Sequence, residues 1–219
     1  MLPLLSVFSG VLPMIFFVCF FKRNRQGGFW VIFFYCLISF LSDNIFHYLE
    51  HKVNVFYLYS GFTICEFVLL SLFIYLSLKT RMFRLFTLIG TLVFFPIAII
   101  NLLHGSDGSF FDSLSASSES ILLIIYSIFF LYEQLTDATV IYVYYLKKFW
   151  IVLAILLYFA STLFLFIYAA TLTKAEYNNY WPINNIFNIL KNILFSIAFI
   201  MKKAIKLHHS LDTAYPDIQ

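Results

Sequence analysis

Seven long apolar stretches, separated by short polar breaks, run the length of this chain, at about 2–21, 28–48, 55–78, 84–103, 112–133, 147–171 and 181–202. A helix that crosses a bilayer needs ~20 predominantly apolar residues, and each stretch meets that length. The pattern predicts an all-α integral membrane protein, a bundle of seven transmembrane helices. The first stretch has no basic residues ahead of it and no small-x-small cleavage site after it, so it reads as a retained helix and not a leader peptide. The connecting breaks are too short for a soluble domain. The expected organisation is one membrane domain over residues 1–207, followed by a short cytoplasmic tail, 208–219.

Positive charge orients the bundle. Lys22, Arg23 and Arg25 follow the first stretch, Lys79, Arg81 and Arg84 surround the break after the third, Lys147 and Lys148 open the sixth, and Lys202, Lys203 and Lys206 follow the seventh. With alternating helices these eleven cations share one side, against Lys52 and Lys174 on the other. Cytoplasmic loops carry the excess of Lys and Arg, so the expected topology has the N-terminus outside and the C-terminus in the cytoplasm. Composition agrees: 62% of residues are hydrophobic and 11% charged, against ~25% charged in soluble domains. The net charge of +3 reflects topology, and no basic stripe with interleaved aromatics suggests nucleic acid. Cys19, Cys36 and Cys65 all fall inside apolar stretches without metal-ligand spacing, as small core residues do. Pro13 and Pro96 interrupt apolar stretches and are expected to kink them, whereas Pro182 is expected at the start of the seventh helix. Trp30, Trp150 and Trp181 lie near stretch ends, where an interfacial belt belongs.

Within this apolar frame a few polar positions carry the candidate chemistry. Lys191 sits halfway along the seventh stretch, where an unpartnered cation costs roughly 2.5–3.5 kcal/mol. Glu66, at similar depth in the third, is its expected ion-pair partner. Asn184 or Asn185, Asn188, Lys191 or Asn192, and Ser196 recur every three or four residues, which places them on one helical face. Ser39, Asp43, His47 and His51 form a four-residue column on the second helix, with Glu50 beside it. The serine-rich start of the fifth helix leads to Glu119. Tyr59 and Thr63 share the face of Glu66, and Tyr158, Ser161 and Thr162 give the sixth helix a polar side. The first and fourth helices offer little of this kind. The expectation is a polar cavity ringed by the other five helices, open toward the outside and lined by Asp43, His47, Glu66, Glu119, Asn188, Lys191 and Asn192. A metal near its mouth would draw on His47, His51 and His104, because His and Asp one helical turn apart can share zinc. No cofactor follows from the residues alone.

A weak internal repeat is also visible. Phe29-Trp30 recurs as Phe149-Trp150, and Leu69-Leu70-Ser71-Leu72 has a counterpart in Leu194-Phe195-Ser196-Ile197. On the second offset Glu66 falls opposite Lys191. This suggests three helices, a linking fourth, and three more, a plan that some transporters use as parallel repeats.

The Ser39-x3-Asp43-x3-His47 column resembles part of the pattern of seven-helix intramembrane zinc amidohydrolases of the ceramidase and adiponectin-receptor type, but the seventh helix has no histidine to complete their metal cage. Lys191 in mid-helix resembles the retinal lysine of rhodopsins, although Phe187 stands where an aspartate is usual. Helix count and topology are similar to those of SWEET-type transporters, without their proline pattern. The broadest resemblance is to seven-helix membrane proteins of Bacteroidota, carried by SFLSDN (39–44), YLYSGFTICEFVLLSLF (57–73), FWIVLAILLYFASTLFLF (149–166) and NNIFNILKNILFSIAF (184–199). That group has no agreed activity. The resemblance implies a bacterial inner-membrane location. Together the readings favour a sensor or accessory protein that takes a small ligand, lipid or ion and acts through a separate cytosolic or membrane partner. A small-solute transporter is the alternative, and a metal-dependent hydrolase or retinal-type chromoprotein a further one.

Overall fold

A computed structural model describes residues 1–49, 55–104, 112–137, 142–169, 171–172 and 174–202. Among these residues the chain is helical, with no strands, and seven helices are long and apolar enough to cross a membrane. The first is segmented into α1 (Leu2–Ser9), α2 (Val11–Cys19) and the single turn α3 (Phe21–Asn24). Then follow α4 (Phe29–Leu49), α5 (Val55–Ser77), α6 (Arg81–His104), α7 (Ser113–Thr136), α8 (Lys147–Tyr168) and α9 (Lys174–Ile200).

Local chemistry explains where the helices begin and break. Pro13 has no N–H, so the carbonyl of Ser9 loses its donor four residues on, and α1 passes into α2 at Gly10 through a tighter Gly10-to-Val7 bond. Gly27 and Gly28, both at positive φ, make the reversal into α4. Asp112 caps α7 by accepting from the Ser115 N–H. Pro96 lies inside α6 without ending it, because neighbouring turns carry the helix through. Pro182 also lies inside its helix, which corrects its expected place at the start. α9 begins two turns earlier, at Lys174, where Glu176 in the first turn suits the positive helix end.

Six of the seven long helices close a ring. The first packs on α4 and α9, α4 on α5, α5 on α7, α7 on α8, and α8 on α9. α6 lies outside the ring in the groove between α5 and α7. Ser6 pairs with Asn188, Ser9 with Asn192 and Asn24 with the Phe199 carbonyl, so the first and last helices run parallel. One end of the bundle is basic. There the Arg23 Nη2 donates to the Ile200 carbonyl at 2.5 Å, Lys147 donates to Asn24 at 2.6 Å, and Lys79 pairs with Asp137 at 2.5 Å. At the opposite end Asn101 of α6 donates to Asp112, and Ser113 donates to the Phe166 carbonyl. Toward the basic end the ring is filled by Phe17, Phe29, Phe73 and Phe199, whose rings meet edge-on or tilted at 5.3–6.4 Å. Such aromatic contacts add to the packing that holds helices together in lipid.

Candidate functional site

At the centre of the ring α4, α5, α8 and α9 bring four polar side chains together. Lys191 of α9 is 2% exposed and Glu66 of α5 is 6% exposed. Their charged atoms are 3.9 Å apart, and Tyr35 of α4 closes the gap. The ammonium donates to the Tyr35 hydroxyl at 2.5 Å, and that hydroxyl donates to Glu66 Oε1 at 2.6 Å. The phenol therefore acts as both acceptor and donor, which makes the three groups a hydrogen-bonded relay.

Tyr158 of α8 covers the remaining side of the cation. The ammonium lies 4.0 Å from the centre of its ring, a close cation–π contact. It also lies 5.0 Å from the centre of the Tyr35 ring. Its short bond to the Tyr35 hydroxyl puts it off the oxygen end of that ring, so only Tyr158 offers its face. The Tyr158 hydroxyl donates onward to Asn184 at 2.8 Å, which ties the site to the non-basic end of α9.

Two expected lining residues have a different task. The Asn188 amide donates to the Ser6 hydroxyl and the Asn192 amide to the Ser9 hydroxyl, each at 2.8 Å. Ser9 in turn donates to the Ser6 carbonyl at 2.6 Å. These amides clamp the first helix against α9, and the expectation that the first helix offers little polar surface is corrected by buried Ser6 and Ser9. The clamp forms because small hydroxyls let two helix backbones approach, and an amide has no other partner in an apolar wall.

Glu119 of α7 is the next buried carboxyl. It is 2% exposed, and its electrostatic neighbours include Glu66 and Lys191. Asp43 is half-buried and within electrostatic reach of the same two groups. His47 lies on α4 and His104 ends α6, but their side chains, like the whole of His51, lie outside the described residues. Among the described residues no three His, Cys, Asp or Glu side chains come together to hold a metal.

Two residues that complete the site were not anticipated as members. Tyr35 extends the Ser39–Asp43–His47 column one turn inward, a signal masked by the chain's 15 Tyr and 29 Phe. Tyr158 was visible as a polar position, but its role as the aromatic lid on Lys191 depends on α8 facing α9. Two cavities, of about 350 and 440 Å³, lie elsewhere, one between the Tyr168 end of α8 and the Tyr180 turn of α9 and the other along Val18 to Arg23. Comparison of the chain with protein-family models, curated proteins and solved structures finds no match.

Proposed function

We propose that this chain is a sensor or accessory protein of the bacterial inner membrane, in which the Glu66–Tyr35–Lys191 relay receives a signal and α9 carries it to a separate partner. The observation behind this reading is the double attachment of α9. Lys191 ties it to α4, α5 and α8 at the centre, and its last carbonyls are held by Arg23 and Asn24 at the basic end. A change at Lys191 has only one rigid element to cross before it reaches that end. The Lys and Arg asymmetry supports a cytoplasmic basic end and an external N-terminus. The resemblance to Bacteroidota membrane proteins supports the location. The partner would be cytosolic or membrane-embedded, and it would meet the basic end.

The ring favours one second reading. Its order is first, second, third, then fifth, sixth, seventh, with α6 outside. That is the arrangement expected of two parallel triplets joined by a linking helix, and Glu66 and Lys191 occupy corresponding positions in the two triplets. A small-solute transporter with its substrate site at mid-depth uses such a plan.

Cross-linking in native membranes, with wild type beside Lys191→Met, separates the two. A specific partner that cross-links at the basic end and is lost in the variant supports the sensor reading. Solute uptake by vesicles containing the purified wild type alone, abolished in the variant, overturns it in favour of transport.

A further inference from the structure

The central ion pair accounts for Glu66 and Lys191 and leaves one carboxyl over. Glu119 is buried like them, yet among the described residues its Oε1 has no hydrogen-bond partner. Its charged neighbours among the described residues can be named. α5 presents Glu66, α9 presents Lys191, and the start of α7 itself presents Asp112. α8 presents Tyr158 over the Lys191 ammonium, and α4 presents Tyr35 and half-buried Asp43. Asn101 of α6 is already donating to Asp112 and Ser115. Among the described residues, Lys191 is therefore the one cation shared by Glu66 and Glu119.

An uncompensated charge in such surroundings is costly. Lys191 is already engaged with Glu66 through Tyr35, so a second carboxylate needs another positive charge. A metal ion or an organic amine would have to bring room beside Glu119 as well as charge. A proton needs no cavity.

We propose that Glu119 and Glu66 form a proton-binding pair around Lys191, and that the proton is the ligand of the central site. The inference rests on reading that site as the receiver of the signal. On this reading the proton resides on Glu119, while Glu66 is the carboxylate that holds Lys191 through Tyr35. Release of that proton to solvent makes Glu119 a second carboxylate, and the two then compete for one ammonium. The step balances as one proton leaving and one negative charge appearing on Glu119. Drawing the ammonium from α5 toward α7 gives α9 a second position, which is the bistable element a sensor requires.

Infrared difference spectroscopy of the full chain in lipid nanodiscs, with pH stepped, tests this directly. Wild type is expected to show a carboxylic-acid carbonyl band that titrates. Glu119→Gln should abolish that band, and Glu119→Asp should retain it at a shifted position. Lys191→Met should move the titration of whatever carboxyls remain. If Glu119→Gln keeps every titrating band, or wild type shows none, the proposal is overturned. A band that answers to sodium at fixed pH, and not to pH, would replace the proton with a metal cation. Should Glu119→Gln fail to fold, Glu119→Asp decides by whether its band shifts. The cross-linking assay is read on the same samples. Titrating bands without a partner sink the sensor reading alone, and a partner lost in Lys191→Met without titrating bands sinks the proton alone.

Discussion

α6 and α9 are both long, apolar helices with an internal proline, yet the fold uses them in opposite ways. In α6 only 17% of the apolar window is buried, against 50% in α9. α6 is held against α5 and α7 by ring contacts, Phe94 on Phe67 and Phe83 on Phe129, and by three further contacts. The Glu133 carboxylate of α7 accepts from the backbone N–H groups of Lys79 and Thr80 just ahead of its start. Gly90 lies against Tyr126 and Leu122 midway, and Asn101 is tied to Asp112 near its end. α9 is held along its length by Asn184, bonded to α8, by Asn188 and Asn192, bonded to α1, and by Lys191, bonded to α4. In lipid no hydrophobic force draws helices together. A helix with amides and a cation along one face is therefore drawn to the centre, whereas α6, whose mid-helix hydroxyls of Thr87 and Thr91 turn back to its own carbonyls, stays at the edge.

The contrast can be broken most severely at Lys191. Lys191→Met leaves Glu66 buried with only Tyr35, and removal of one partner of a buried pair costs about 3 kcal/mol or more. Reversible detergent-induced unfolding should register that loss. The Glu66→Gln/Lys191→Met double variant should lose less than the two single variants combined. Additive losses would show that the two groups are not coupled.

The next largest effect belongs to α6. A β-carbon at Gly90 would collide with the Tyr126 hydroxyl and press on Leu122. Gly90→Ala should therefore destabilise by about 1–3 kcal/mol, as overpacking does. Leu92→Ala, on the exposed side of the same helix, should change the unfolding midpoint far less. Equal effects would mean that α6 does not pack by this face.

Glu133→Gln tests the inter-helix cap. It keeps an acceptor but removes the negative charge from the start of α6, an effect expected near 1 kcal/mol. Slower or incomplete protection of the first turn of α6 in hydrogen exchange is the expected signature.

The smallest effect is expected at the clamp. Ser9→Ala removes one interhelical hydrogen bond, worth about 0.6 kcal/mol on average in membranes. Asn192→Ala should cost a similar amount, and the double variant should cost little more than either alone. A loss at Asn192 rivalling that at Lys191 would place the amide in the central site after all.

Much of the architecture was legible because it follows from length and local chemistry. Twenty apolar residues in a row specify a helix of spanning length in any surroundings, and α5, α7 and α8 lie within a few residues of the stretches read from the chain. Helix ends were less legible where polar residues continue the helix beyond the apolar stretch, as Lys174 to Tyr180 do. The polar face of α9 followed from its three- and four-residue spacing. What each amide would bond to did not, because Ser6 and Ser9 are distant in sequence and unremarkable in composition.

By itself, then, the sequence determined seven apolar helices, an oriented excess of positive charge, and an ionisable residue in the middle of two of the helices. Only the tertiary structure decided that Glu66 and Lys191 meet through Tyr35 under the ring of Tyr158, that Asn188 and Asn192 turn away to the first helix, and that Glu119 is left, among the described residues, without a partner at Oε1. The physical reason is the reach of each interaction. Apolar length and helical period act within one segment. A buried polar group must instead be satisfied by whichever neighbour the helix packing brings within about 3 Å, and that neighbour is chosen by the ring as a whole.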